Sequence, residues 1–254
     1  MLTVLIDIGN SSAKLGVADS GFDTVSRCDK EPSAIVNSVH TLCLDHSGQS
    51  ATTSDLRIVV ASVADETFDA ELTALVAERL GCELHFCQTP TAGFGVTNSY
   101  DEPQRMGVDR WLALIAAWSS CPEALLVFDA GTALTCDVVA ANGQHLGGFI
   151  IPGTQLMELA LRRDTKQIRY DDSQPASLEA GTTTASCVSS GIWMALVGAI
   201  SALQQRYPDH RSILTGGEGQ ALIDLGIDAE WRPHLVLEGL QLTAQEMVTT
   251  TGPR

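Results

Sequence analysis

One pattern occurs twice in this chain, and it restricts the possible folds more than any other feature. Near the midpoint, Leu126–Val139 reads LVFDAGTALTCDVV. The apolar run Leu125–Phe128 has the length and bulk of a buried strand. It ends on Asp129; Gly131 then lets the backbone turn, Thr132 adds a hydroxyl, and Leu134 to Val139 alternate as a returning strand. The chain opens in the same way. VLIDIGNSSAKLGVAD (Val4–Asp19) aligns without gaps on LVFDAGTALTCDVVAA (Leu126–Ala141), with Asp7 on Asp129, Gly9 on Gly131, Asn10 on Thr132 and the apolar flanks in register. The offset is close to half the chain, which points to a duplicated unit. Two ordinary hairpins with acidic tips are the plainer reading, but two such turns at strand ends, half a chain apart, favour duplication. A strand, a carboxylate, a glycine turn and a hydroxyl form a cradle for phosphate. The turn supplies N–H donors, and the carboxylate can hold the cation that phosphate brings.

The remaining periodicity fits an α/β chain of two domains. Leu2–Asp7 and Lys14–Asp19 form the first hairpin, Pro32–Leu44 has helical spacing, and Leu56–Val63 is a buried strand. Asp69–Leu80 is an amphipathic helix stopped by Gly81, and Glu83–Phe86 a short strand, giving a β-β-α-β-α-β order. Thr89–Arg105 reads as a loop of the kind that carries function. It leads into a helix at MGVDRWLALIAAW, with Trp111, Leu114, Ile115 and Trp118 on one side. Ser119–Glu123 is the seam, dividing the chain into domains 1–120 and 121–254. Beyond the central hairpin, Leu146–Ile151 is a strand, Gln155–Arg162 a helix, Arg163–Gln174 an exposed and mobile stretch, and Thr184–Gln204 a long buried helix. Ser212–Thr215, a helix through Leu225, and Leu235 to about Val248 close the chain.

Composition excludes some partners. The net charge of −16 argues against nucleic acid or an anionic membrane surface. Seven scattered cysteines with no C-x-x-C pair predict reduced thiols in the cytoplasm rather than a zinc site or a disulfide framework. The start MLTVLIDIGN has no basic region and reaches Asp7 too early for a signal peptide. Ile192–Ile200 is far shorter than the roughly 20 residues a bilayer needs.

Three places could carry chemistry. The first is Asp7-x-Gly9-Asn10-Ser11-Ser12-x-Lys14, where turn groups suit a phosphate and Lys14 supplies opposing charge. The second is Gly107-Val108-Asp109-Arg110 at a helix start. Asp109 there is either a cap or, beside a guanidinium, a base for a substrate proton. The third is the pair of glycine turns, Gly147-Gly148…Pro152-Gly153 and Gly216-Gly217-Glu218-Gly219, which allow close approach to a flat ligand or form plain turns.

The blocks DIGNS, GVTNSYDEPQRMGVDRW, DAGTALTCD, GGFIIPG and LTGG, in this order and spacing, resemble type III pantothenate kinase. That family lies within the acetate and sugar kinase/Hsp70/actin superfamily, whose duplicated ribonuclease-H-like domains match the repeat. The resemblance implies that Asp7, Ile8, Gly9, Asn10, Ser11, Ser12, Ala13 and Lys14 form the first phosphate loop, with Asp7 near Mg²⁺. It implies that Tyr100, Gly107, Val108, Asp109 and Arg110 hold pantothenate, with Asp109 as general base on its primary hydroxyl. Asp129 would bind a monovalent cation, K⁺ or NH₄⁺, Thr132 would contact ATP, and Thr184 would contact pantothenate. Ser11 stands where that family's loop usually carries threonine, which keeps the hydroxyl. Gly181-Thr182-Thr183-Thr184 lacks the asparagine expected before the last threonine. The expected activity is ATP-dependent phosphorylation of pantothenate by a cytoplasmic homodimer. Its alternatives are a kinase for another small hydroxy acid or sugar, and a nucleotide-binding regulator without kinase activity.

Overall fold

The computed structural model describes residues 1–22, 24–47, 56–164 and 174–250. The stretch Arg163–Gln174, expected to be mobile, lies outside them except at its two ends. The first sheet is built from β1 (Leu2–Ile8), β2 (Ser12–Val17), β3 (Ser26–Asp29), β4 (Leu56–Ser62) and β5 (Leu84–Phe86), with α1 (Pro32–Ser47) and α2 (Glu66–Leu80) between strands. Two two-residue strands, β6 (Ala92–Gly93) and β7 (Val96–Thr97), interrupt the expected loop, and α3 spans Val108–Ser120. The second sheet follows with β8 (Leu125–Ala130), β9 (Ala133–Val139), β10 (His145–Pro152), α4 (Thr154–Asp164), α5 (Thr184–Arg206), β11 (Arg211–Thr215), α6 (Gly219–Asp224) and β12 (Glu230–Trp231); α7 (Leu235–Thr250) ends the chain.

The two sheets have one topology. Their strand orders are β3-β2-β1-β4-β5 and β10-β9-β8-β11-β12. In each, the first three strands in sequence run antiparallel and the later two join in parallel. Two expectations need correcting here. The β-β-α-β-α-β order omits β3, because SRCD is a polar edge strand whose residues are half-buried or exposed and show no apolar run. The gapless alignment also fails beyond the turn. Asp7 pairs with Lys14 and Ile8 with Ala13, whereas Asp129 pairs with Thr135 and Ala130 with Leu134. The first turn is therefore one residue longer. Ala13, Leu15 and Val17 occupy the core positions taken by Leu134, Cys136 and Val138 in the other sheet. Side chains alternate across a strand, so the gapless register would have put Asp137 where Leu15 packs.

Local sequence explains the elements. Asp65 caps α2 by accepting from Phe68 N at 2.9 Å, and the Gly81 N–H closes its end on the Val76 and Ala77 carbonyls, the stop expected at that glycine. One face of the first sheet buries Ile6, Ile8 and Leu15 against Ile35, Val39, Leu72 and Val76 of α1 and α2. Each such side chain contributes roughly 1.5–3 kcal/mol on burial. Helix α7 packs on β1 and β4. In the second sheet, Phe128, Leu134, Cys136 and Leu214 meet Trp193, Leu196 and Ile200 of α5 and Leu222 of α6. Helix α5, expected to be buried, buries only one face; Met194 on another is 52% exposed. By length and composition alone it could cross a membrane. Helix α3, expected to be apolar on one side, is buried all round from Arg110 to Trp118.

The chain forms two compact units, Met1–Gly93 with Tyr100–Ala116 and His234–Arg254, and Phe94–Ser99 with Ala117–Pro233. A cut at residue 120 separates the two sheets, but α7 keeps its company with the first of them.

Candidate active site

In the first unit, β1 delivers Asp7 to its end, with Lys14 of β2 and Ala61 of β4 as strand partners. The turn closes through Gly9 N donating to Ser12 O at 3.0 Å, and Arg27 Nε steadies the Ser12 hydroxyl at 3.0 Å. Asn10 and Ser11 are exposed at the tip, while Asp7, Gly9, Ser12 and Lys14 are half-buried. Ile8 and Ala13 face the core, so only their main-chain groups can serve a ligand. A neighbour that sequence reasoning missed is His234, at the entry to α7. Burial, and then the Lys14 charge, push its imidazole below the usual histidine range, with Glu238 opposing. No spacing signal ties residues 14 and 234.

Tyr100, Asp109 and Arg110 come together in the same unit. Arg110 is 7% exposed, and its Nη1 donates to the Tyr100 hydroxyl at 3.0 Å, with the guanidinium 5.8 Å from the ring centroid. A buried guanidinium carries several directed donors and needs anionic or oxygen partners. Asp109 Oδ1 accepts from Arg110 N at 2.8 Å in the first turn of α3, so the capping role does exist. A Cβ on Gly107 would lie 2.5 Å from that same oxygen, which explains a glycine there. Val108 is buried and contributes packing; Thr89 Oγ1, donating to Met106 O at 2.9 Å, pins the approach to the helix.

In the second unit, Asp129 is the penultimate residue of β8, opposite Thr135. Main chain surrounds it. Gly131 N donates to Ala133 O at 3.1 Å, Gly153 N to Thr132 O at 3.0 Å, and Glu218 N to Ala130 O at 2.9 Å. Gly216 has φ +96°, and a Cβ there would overlap Asp129 Oδ1 and stand 2.5 Å from Ala130 N. Of the two glycine turns, Gly153 and Gly216–Glu218 thus converge on the Asp129 turn. Gly147 instead occupies an irregularity in β10. Thr154 Oγ1 donates to Glu218 Oε1 at 3.2 Å, a contact that sequence reasoning did not anticipate. Among the described residues, no group of three His, Cys, Asp or Glu side chains could hold a metal. A cation at either aspartate would therefore draw on backbone oxygens, phosphate or water.

Thr184 is the first residue of α5, exposed, and lines an apolar cavity of about 890 Å³ with Leu156, Met157, Ala160, Cys187 and Val188. Thr183 is spent on a reciprocal cap with Ser186, accepting from Ser186 N at 3.2 Å.

Comparison with known proteins gives a consistent result. The type III pantothenate kinase family model matches residues 3–206. A type III pantothenate kinase of Marinobacter nauticus is 34% identical over 247 residues, spanning 96% of this chain and 98% of its own. One from Thiobacillus denitrificans is 34% identical over 259 residues, spanning 95% and 96%. Among solved structures, a candidate 2-dehydro-3-deoxygalactonokinase from Sinorhizobium meliloti superposes with a TM-score of 0.63 at 15% identity, covering 96% of this chain and 99% of that one. That likeness concerns the fold, and with the two matched sheets it fits a pair of ribonuclease-H-like domains. This chain belongs to the type III pantothenate kinase family.

Proposed function

We propose that this chain transfers the γ-phosphoryl group of ATP to the primary hydroxyl of pantothenate, the first step toward coenzyme A. The observation that carries the reading is the buried Arg110 joined to Tyr100, with Asp109 beside it, on a chain of this family. A buried guanidinium steadied by a phenol suits the carboxylate of a small hydroxy acid. Asp109, one residue earlier on the same helix turn, accepts the proton of the hydroxyl as it attacks phosphorus. Lys14 and the Asn10, Ser11 and Ser12 side chains at the tip take phosphate oxygens, while the Gly9 N–H, bonded to Ser12 O, holds the turn's shape. Fixing acceptor and donor in line supplies most of the catalysis, since phosphoryl transfer asks little covalent chemistry of the protein.

The residues present fit the cations that such a reaction uses. Asp7 would hold Mg²⁺, which when bound neutralises charge on the transferring phosphates. Asp129 lies in a cradle that a Cβ at residue 216 would fill, and its carboxylate with nearby carbonyls would hold a monovalent cation, K⁺ or NH₄⁺. Thr132 contacts ATP in this reading, and Thr184, its neighbour Thr183 being committed to the cap, contacts pantothenate.

Assembly follows from exposed apolar surface. Ile150 of β10 is 65% exposed, with Leu146, Phe149, Leu156, Leu159 and Met194 also outside the core, a set that supports a homodimer. The scattered cysteines and acidic composition support a cytoplasmic location.

An ADP-release assay of the purified protein tests the activity. Release that depends on both ATP and pantothenate is the expected result; release indifferent to pantothenate would refute it. For assembly, light scattering should report twice the chain mass, and a fully active monomer at nanomolar dilution would remove the dimer.

A further inference from the structure

A buried polar chain lies in the second sheet, outside the groups used above. Asp137 of β9 is 2% exposed and His145 of β10 is 0% exposed, with His145 Nε2 3.0 Å from Asp137 Oδ1. The other ring nitrogen, Nδ1, lies 3.1 Å from the hydroxyl of Ser99, an exposed residue. One ring nitrogen thus faces the carboxylate and the other the hydroxyl.

The placement of His145 requires a local device. It stands on an edge strand, where a side chain readily escapes to solvent. Between His145 and Gly147 the register slips, so His145 opposes Val139 while Gly147 opposes Val138. Leu146 is the extra residue and points outward, and Gly147 takes φ +108°. A bulge of this kind re-aims a side chain, and here it turns an imidazole inward. Asp137 lies on the sheet face opposite Cys136 and Val138, which face the α5 core. Burying two ionisable groups costs desolvation that an apolar pair would avoid, so their satisfied bonds serve placement more than stability.

What the chain places is Ser99. The segment before it is strapped to the β9–β10 turn, since Thr97 N donates to Gly143 O at 3.0 Å and Gln144 Nε2 to Thr97 O at 3.4 Å. Ser99 is the last strap, and the next residue is Tyr100, whose hydroxyl receives Arg110. We propose that Asp137, His145 and Ser99 form a positioning chain that sets the backbone at Tyr100, and through Tyr100 the hold of Arg110 on the carboxylate of the acceptor. This rests on the pantothenate reading of Tyr100 and Arg110.

Ser99→Ala is the informative variant, because the side chain is exposed and its loss leaves the core intact. Loss of one hydrogen bond predicts a pantothenate KM about three- to tenfold higher with the KM for ATP unchanged, and a melting temperature lower by roughly a few degrees, since the buried His145 Nδ1 loses its hydroxyl partner. Ser99→Thr, which keeps the hydroxyl, restores the wild-type value. In a Tyr100→Phe background, Ser99→Ala adds less than about twofold, because its effect passes through the missing hydroxyl. Hydrogen exchange in the substrate-free protein should be faster at residues 98–101 in Ser99→Ala. A pantothenate KM equal to wild type, an equal rise for both substrates, or full additivity with Tyr100→Phe would each overturn the proposal. If the wild-type protein fails to turn over pantothenate, the reading beneath fails, and unchanged exchange at residues 98–101 would separately refute the pinning.

Discussion

At the first hairpin Asp7 sits opposite Lys14; at the second Asp129 sits opposite Thr135. The sheets behind them share strand order and direction, so the difference lies in the turns. The first is one residue longer, has exposed Asn10 and Ser11 at its tip, and has a lysine beside its carboxylate. The second is shorter, carries no lysine, and is walled by the main chain of residues 130, 153 and 216. An exposed cationic turn suits an anion that arrives and leaves. A carboxylate enclosed by backbone suits a weakly hydrated cation held by oxygens. On the proposed reading, two hairpins of one topology serve two kinds of ion, and they differ by one residue of turn length and by a few neighbours.

On the proposed reading the base is Asp109 and neither hairpin aspartate, and this has the largest expected consequence. Asp109→Asn should lower kcat by about 10²–10⁴-fold with ATP affinity unchanged, the usual worth of a positioned base. If turnover stayed within a few-fold, Asp109 would be only a cap, and one hairpin would have to supply the base. Next comes the cation. Replacing K⁺ by Na⁺ at constant ionic strength should reduce the rate by about 10²-fold, an effect comparable to losing one preorganised electrostatic group. Asp129→Ala should abolish that response, whereas Asp7→Ala should keep it and raise the Mg²⁺ requirement. Equal rates in the two salts at saturating Mg²⁺ would erase the distinction between the turns. Lys14→Met should raise the KM for ATP by roughly 10–100-fold, the range of a charge-assisted hydrogen bond, while Thr135→Val, at the equivalent strand position, should stay within about twofold. The smallest effect is on stability. Gly216→Ala, at φ +96° against Asp129 and Ala130, should cost about 1–3 kcal/mol in denaturant unfolding. Gly9→Ala, whose Cβ would rest 3.4 Å from Ser12 O, should stay within about 1 kcal/mol.

Sequence alone exposed the parts of this molecule that rest on local apolar patterning. β1, β4, β8 and β11 are short apolar runs, and Gly81 marks a helix end by local chemistry, whereas the Thr183–Ser186 cap came only with the structure. β3 escaped because an edge strand with polar residues buries too little to leave a pattern. The slip of one residue between the hairpins escaped because turns tolerate an insertion that both flanking strands conceal. α7 reads as a helix, but no periodicity tells a helix which sheet it will cover. In the site, the Asp7 and Asp129 turns were legible from the repeat. The family resemblance put Tyr100 and Arg110 around one substrate, but their hydrogen bond came only with the structure. The Asp137–His145–Ser99 chain was invisible, since it depends on a bulge and on a hydrogen bond across 46 positions.

The proposed function depends most directly on which molecule receives phosphate. In one reaction mixture, the purified protein with ATP, Mg²⁺ and K⁺ would be offered pantothenate together with hexoses and short hydroxy acids at equal concentration, and the products weighed by mass spectrometry. The expected product is pantothenate carrying the mass of one added phosphate, with no other acceptor modified. Phosphate on a sugar or another acid, or ATP consumed with no phosphorylated acceptor, would contradict it.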